Sequence, residues 1–119
     1  MIKGGEFLIK DQEAKDIFIP EEFGEDQLMM AYATKEFVEK ELDPHRERFE
    51  KKDYKLTEEC MKKTGELGLL GISVPAEYGG MGMPFNTSVL ICDKISGANG
   101  SFSTAFGAHT GIGTLPILL

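Results

Sequence analysis

Between Ile95 and Leu119 the chain carries no Asp, Glu, Lys or Arg, although 28% of its 119 residues are charged. Such a stretch has few groups that favour bulk water, so folding has to cover it. A membrane span would do so, but it needs roughly 20 predominantly apolar residues. This segment holds five glycines, three serines, three threonines, an asparagine, a histidine and a proline, and falls short of that requirement. The spacing instead predicts a soluble core helix from about Ser101 to Ile112, a break at Gly113 and a new helical start near Pro116.

That helix has two distinct faces. Phe102, Ala105, Phe106 and His109 recur at offsets of three, four and seven, the footprint of a helix on a core. Ser103, Gly107, Thr110, Gly111 and Thr114 form a second stripe made only of small residues. A glycine inside a helix costs about 1 kcal/mol relative to alanine, so two of them in one stripe point to a close approach to the backbone. The approaching body is either another tightly packed helix or an elongated apolar ligand lying in a slot.

Upstream, the chain reads as an extended arm over residues 1–24 followed by one helical domain over 25–119. Met1 to Pro20 shows no sustained period, and Gly4-Gly5 precedes a few anchoring apolar residues. From Glu25 to Leu42, Met30, Ala33, Phe37, Val38 and Leu42 mark the apolar side of an amphipathic helix. Asp43-Pro44 interrupts it, because the residue before a proline is pushed out of the helical region, and a short charged helix follows to Lys51 or Lys52. Thr57 is the expected cap of the next helix, with Cys60, Thr64 and Leu67 on its face and Gly68 at its end. Leu69 to Pro84 is rich in glycine and proline and reads as an ordered, turn-rich connection. Asn86 or Thr87 caps a further helix that carries Ser88, Ile91, Cys92 and Ile95 on one side.

The charge balance excludes one class of partner. Thirteen basic against 20 acidic residues leave a formal net charge of −7, with no basic patch for nucleic acid. Cys60 and Cys92 lack CxxC spacing and read as small buried hydrophobes in a reducing compartment. Residues 1–15 show no export signal. No GxSxG, HExxH or phosphate-binding glycine loop occurs, and Gly79-Gly80-Met81-Gly82 fits GxGxxG in no register. His45 reads as a surface residue and His109 as a hydrogen-bonded core histidine. Met29, Met30, Met81 and Met83 read as core or near-core gap fillers. No catalytic, cofactor-binding or metal-ligating residue is therefore assigned in this chain.

The string Gly65-Glu66-Leu67-Gly68-Leu69-Leu70-Gly71-Ile72-Ser73-Val74-Pro75-Ala76-Glu77-Tyr78-Gly79-Gly80-Met81-Gly82 closely resembles the helix-end and loop segment of acyl-CoA dehydrogenase N-terminal domains. Glu41-Leu42-Asp43-Pro44, the helix around Val89 to Ile95 and Phe106-Gly107-Ala108-His109-Thr110-Gly111-Ile112-Gly113 follow in the order similar proteins show. The resemblance covers roughly Gly24 to Leu119. The opening Lys3-Gly4-Gly5-Glu6-Phe7-Leu8-Ile9 and the Gly107-Ala108-His109 triplet are most similar to very-long-chain-type bacterial members.

The resemblance implies an all-α N-terminal helical bundle. It implies that a β-barrel-like domain and a second helical bundle follow, with FAD between those two and a catalytic glutamate in the last. The implied activity is α,β-dehydrogenation of fatty acyl-CoA in β-oxidation, with electrons passed to an electron-transferring flavoprotein. A homo-oligomer in the bacterial cytoplasm is implied as well. By position, Ser103 and Gly107 match the far end of the family's acyl-chain pocket. Thr110 joins them by spacing, and Phe106 completes the candidate pocket set. The chain stops at Leu119, where similar proteins continue into a glycine turn and a charged helix. It is therefore expected to be an incomplete domain, inactive alone, unable to bind FAD and prone to self-association. A non-catalytic helical interaction module and a fragment of an acyl-CoA oxidase are the alternative readings.

Overall fold

A computed structural model describes residues 5–119. Met1 to Gly4, which include the start of the arm and Lys3-Gly4 of its opening motif, lie outside the described residues. Among the described residues the fold is all-α, with no strand. Residues 5–24 form three single 3₁₀ turns, Glu6–Leu8, Ala14–Asp16 and Pro20–Glu22, and Phe18 meets Phe23 edge to face at 4.9 Å.

The helices are α1 (Glu25–Phe37), α2 (Arg46–Glu50), α3 (Tyr54–Glu66), α4 (Phe85–Ser96), α5 (Gly100–Gly107) and α6 (Leu115–Leu118). Helix α1 runs on into a π-helical turn, Val38–Leu42, and then a 3₁₀ turn at Asp43–His45 that contains Pro44. Its buried side is Ala31, Thr34, Phe37, Val38 and Leu42. The expected Ala33 is exposed, and Thr34 takes the inward place because its hydroxyl donates to the Met30 carbonyl at 2.8 Å and needs no water. Gln27 joins the first turn of α1 to that of α4. Its amide oxygen accepts from Gly24 N at 3.0 Å, while its Nε2 donates to Asn86 Oδ1 at 3.0 Å and Thr87 Oγ1 at 2.7 Å. Asn86 and Thr87 were the expected caps of α4. Their side-chain oxygens are taken by α1, and the helix instead starts directly after Pro84, whose ring pre-sets the backbone.

The cap of helix α3 lies four residues before the expected Thr57. Asp53 caps it, accepting from Leu56 N at 3.1 Å, so that Leu56 enters the core in line with Cys60 and Thr64. Leu67 is 45% exposed, outside that buried face. Gly68 follows with φ 76°, a left-handed position that a side chain resists. Beyond it, residues 69–83 fold back on themselves. Met81 N donates to Gly71 O at 2.9 Å, Gly82 N to Val74 O at 2.8 Å and Met83 N to Ile72 O at 2.8 Å. A Cβ on Gly80 would fall well inside contact distance of Val74 O, so glycine is demanded there by close backbone approach. Met30 and Met83 pack against the core, but Met29 and Met81 are largely exposed, which corrects their expected burial.

The core centres on Phe102, fully buried with its ring 5.7 Å from that of Phe49 and 6.3 Å from that of Phe37. Leu42, Leu69, Ile91, Ile95 and Phe106 surround the three rings. Asn99 caps α5 by accepting from Phe102 N at 3.0 Å and donates to Glu50 Oε1 at 3.1 Å, which ties α5 to α2.

Three outcomes follow for stability. Phe102→Ala should cost about 3–5 kcal/mol in urea or thermal unfolding, because it leaves a void between two aromatic rings. Gly80→Ala should lower the melting temperature, and an unchanged melt would disprove the close contact with Val74. The Leu56 amide and the Arg48 side chain hold the Asp53 carboxyl below its ordinary 3.8. A carboxyl with a lowered folded pKa stabilises above its unfolded value, and that contribution is lost as pH falls through the folded value. Asp53→Asn keeps a capping oxygen, so wild type should lose stability below pH 3.8 more steeply than the variant in melts across pH 2–6.

Candidate functional site

Helix α4 shows two usable edges. Thr87, Ile91 and Ile95 face the core. Ser88, Cys92 and Ser96, each one position further on and four apart, turn about 100° away from it. Across from this second edge, α5 buries Phe102 and Phe106 and then loses its regular pitch. Ala108–Gly113 is π-helical, with Thr114 N and Thr114 Oγ1 both reaching back to His109 O at 3.0 and 2.7 Å.

The expected continuous helix to Ile112 is thus replaced by α5 and a wide turn. Glycines at 107, 111 and 113 weaken the regular helix, and the missing Cβ at Gly113 lets Ala108 O approach the position where it would sit to 3.0 Å. The extra residue in the turn rotates the register. His109, expected in the core, is exposed, whereas Gly107, Thr110 and Gly111 share one side. Turns of this kind are rare inside helices and recur at functional sites.

Between the two edges lies an open cleft of about 470 Å³, within the range of small-molecule sites. Phe85, Ser88, Val89, Cys92 and Ser96 form one wall, and Gly107, Thr110, Gly111 and Leu115 the other. Ser73 reaches it from the folded-back loop and Asp93 from the rim. A Cβ built on Gly107 or Gly111 meets nothing within 4 Å, so both glycines front open space. Tight packing of another helix of this chain against the small-residue stripe is therefore not observed at these two positions.

Of the candidate pocket residues, Gly107 and Thr110 stand on the cleft wall. Phe106 is 3% exposed and sits behind it, in the core. Ser103 lies a turn away, half-buried, with its hydroxyl donating to Gly100 O at 3.1 Å, and it does not line the cleft. The α4 wall was not assigned to a site from sequence. Its signal was present as Ser88, Cys92 and Ser96 at spacing four, but it merged with the core periodicity of the same helix.

The wall is less polar than its residue names suggest. Thr110 Oγ1 donates to Phe106 O at 2.9 Å and Ser96 Oγ to Cys92 O at 2.7 Å, so both hydroxyl protons are used within their own helical segments. Among the described residues the only charged group on the cleft is Asp93, 71% exposed at its side chain and 3.3 Å from Lys94 Nζ. Cys92 is half-buried at the wall, while Cys60 is buried on the core face of α3 and that burial pushes its thiol pKa up. Among the described residues no group of His, Cys, Asp and Glu is placed to hold a metal, and no helix is long and apolar enough to cross a membrane.

Residues 17–119 match the family model for the acyl-CoA dehydrogenase N-terminal domain. A probable acyl-CoA dehydrogenase of Bacillus subtilis (strain 168) is 45% identical over 116 residues, covering 98% of this chain and 19% of the relative. The mitochondrial isovaleryl-CoA dehydrogenase of Bos taurus is 32% identical over 89 residues, 74% of this chain and 21% of that protein. A crystal structure of an acyl-CoA dehydrogenase complexed with FAD from Bacillus anthracis superimposes with a TM-score of 0.90 at 42% identity, over all of this chain and 21% of that one. The chain spans about a fifth of the length of these relatives. With its all-α fold and a match over residues 17–119, it belongs to the acyl-CoA dehydrogenase family as that family's N-terminal helical domain.

Proposed function

We propose that this chain is the N-terminal part of a flavin-dependent acyl-CoA dehydrogenase and supplies one side of the acyl-chain pocket. The observation that carries this reading is the cleft between α4 and the wide turn, fronted by Gly107 and Gly111 and lined almost wholly by uncharged groups. Its part in the reaction is to bind and dry the substrate. Each methylene taken out of water there contributes about 0.8 kcal/mol, and exclusion of water strengthens whatever electrostatics act at the reacting end.

The cleft does not fit FAD. A dinucleotide brings a pyrophosphate, and among the described residues no cationic side chain lines this cleft to meet it, only the Asp93 carboxylate. FAD, the base for the α-proton and the polarising groups for the thioester are assigned to the parts of the protein beyond this domain. Asp93 is exposed and paired with Lys94, which leaves it unsuited to proton abstraction. The rest of the reading is a fatty acyl-CoA substrate of β-oxidation, electron-transferring flavoprotein as acceptor, a homo-oligomer and the bacterial cytoplasm. The exposed Ile112, Ile117 and Leu119 support a covering surface from further domains or subunits.

The test is a flavin and activity assay of the 119-residue chain beside the full-length gene product, with acyl-CoA and an artificial electron acceptor. Full-length protein should be yellow and active and the chain alone colourless and inert. If neither binds FAD, the helical interaction module replaces the enzyme. In the full-length enzyme, Gly107→Leu should lower kcat/KM for long acyl chains while sparing short ones. An equal effect at every length would remove Gly107 from the pocket wall.

A further inference from the structure

Beside the cleft lies a second, much smaller pocket of about 20 Å³, more enclosed than the cleft itself. Leu69, Ile72 and Phe106, all buried, line it from the core. Three residues that carry hydroxyls, Ser73, Ser88 and Thr110, line both spaces and stand where the two meet. They come from three separate parts of the fold: the folded-back loop, α4 and the wide turn.

A helical hydroxyl commonly bonds to the carbonyl one turn back, as Ser96, Thr104 and Thr110 do here. Ser88 does not. Among the described residues, neither the Ser88 nor the Ser73 hydroxyl bonds to any protein group, and both oxygens keep accessible surface. The loop that carries Ser73 is also short of polar ties. Its backbone bonds run within residues 68–83, and among the described residues no hydrogen bond joins it to α4, α5 or the wide turn. Its first turn, Leu69–Gly71, nevertheless packs beside the wide turn.

We propose that the small pocket is a binding site for one water molecule, held by Ser73, Ser88 and Thr110, which ties the folded-back loop to both walls of the cleft. The space suits a single water, which takes roughly 10–15 Å³ and two to four polar partners. The protons balance as well. Thr110 Oγ1 gives its proton to Phe106 O and can only accept, so the water donates one proton to Thr110. It donates the other to one serine and accepts from the second, which makes the three bonds usual for a buried water. The consequence for the cleft is that an apolar ligand covering it leaves the two serine hydroxyls bonded. Without the water such a ligand would strand them, and a buried hydroxyl without a partner opposes binding. The site follows from the pocket and its hydroxyls, and it stands whether or not the cleft takes an acyl chain.

Two measurements on the full-length protein test this. A high-resolution crystal structure should show one ordered solvent peak about 2.6–3.2 Å from the hydroxyl oxygens of Ser73, Ser88 and Thr110. No peak there, or a peak that misses any of the three, overturns the proposal. Hydrogen exchange followed by mass spectrometry reads the tie itself. Ser73→Ala and Ser88→Ala should each speed exchange in residues 69–83 about fivefold, the effect of losing one ordinary hydrogen bond. Because both act through one water, the double variant should exchange no faster than the faster single. Ser96→Ala is the control, since Ser96 lines the cleft but not the small pocket, and it should leave the loop unchanged. Single variants that exchange like wild type, or effects that multiply in the double variant, overturn the shared water. None of these outcomes depends on catalytic activity, so a failed acyl-CoA assay would remove the proposed function and leave the water site standing.

Discussion

The contact on which the rest of this domain depends is the meeting of Phe37, Phe49 and Phe102. Three helices are pinned at one point, with the Phe102 ring 5.7 Å from that of Phe49 and 6.3 Å from that of Phe37. Aromatic rings supply more buried area than any other side chain of comparable flexibility. Phe102 is how the last segment, otherwise rich in glycine, serine and threonine, joins the core. Asn99 fixes the entry of α5 into this cluster from both directions, through the Phe102 amide and through Glu50 on α2.

The cleft is a by-product of that arrangement. Helix α4 must present Ile91 and Ile95 to the rings, and with 3.6 residues per turn this turns Ser88, Cys92 and Ser96 to the side of the core. Past Gly107 the chain leaves the regular helix for a wider turn, which carries Thr110, Gly111 and Leu115 to the same side. The α4 wall and Gly107 are therefore held by helices that bury Thr87, Ile91 and Ile95 and Phe102 and Phe106 in the core. A binding surface built on packed helices keeps its width without needing a ligand to organise it. The loop over residues 69–83 contributes Ser73 to the same cleft, held by hydrogen bonds of its backbone to itself.

Much of this was legible in the residues. Periodicity located the helices, Pro44 and Gly68 marked real boundaries, and the small-residue stripe pointed to the cleft through Gly107 and Thr110. The failures share a cause. Thr57, Asn86 and Thr87 are good caps by type, yet Asp53 and Pro84 hold those positions, because Leu56 has to reach the core and Gln27 claims Asn86 and Thr87 from another helix. Ala33 and Thr34 differ in burial against their usual preference because a hydroxyl that bonds within its own helix is tolerated inside. Ser88 and Cys92 were hidden because one helix carries two adjacent stripes, and a single apolar period merges them.

What the sequence determined by itself is the all-α class, the order of the helices, the folded-back loop with its glycines and the uncharged segment that must be covered. These follow from local backbone preferences and from period, which act between residues near in the chain. Only the tertiary structure decided which stripe of α4 enters the core, where the last helix widens, and that His109 turns outward while Gly107 and Gly111 front open space. The choice of stripe depends on contacts between helices dozens of residues apart, and the outward turn of His109 on a change of helical pitch. Spacing along one helix cannot distinguish a face that meets a partner from a face that meets a void.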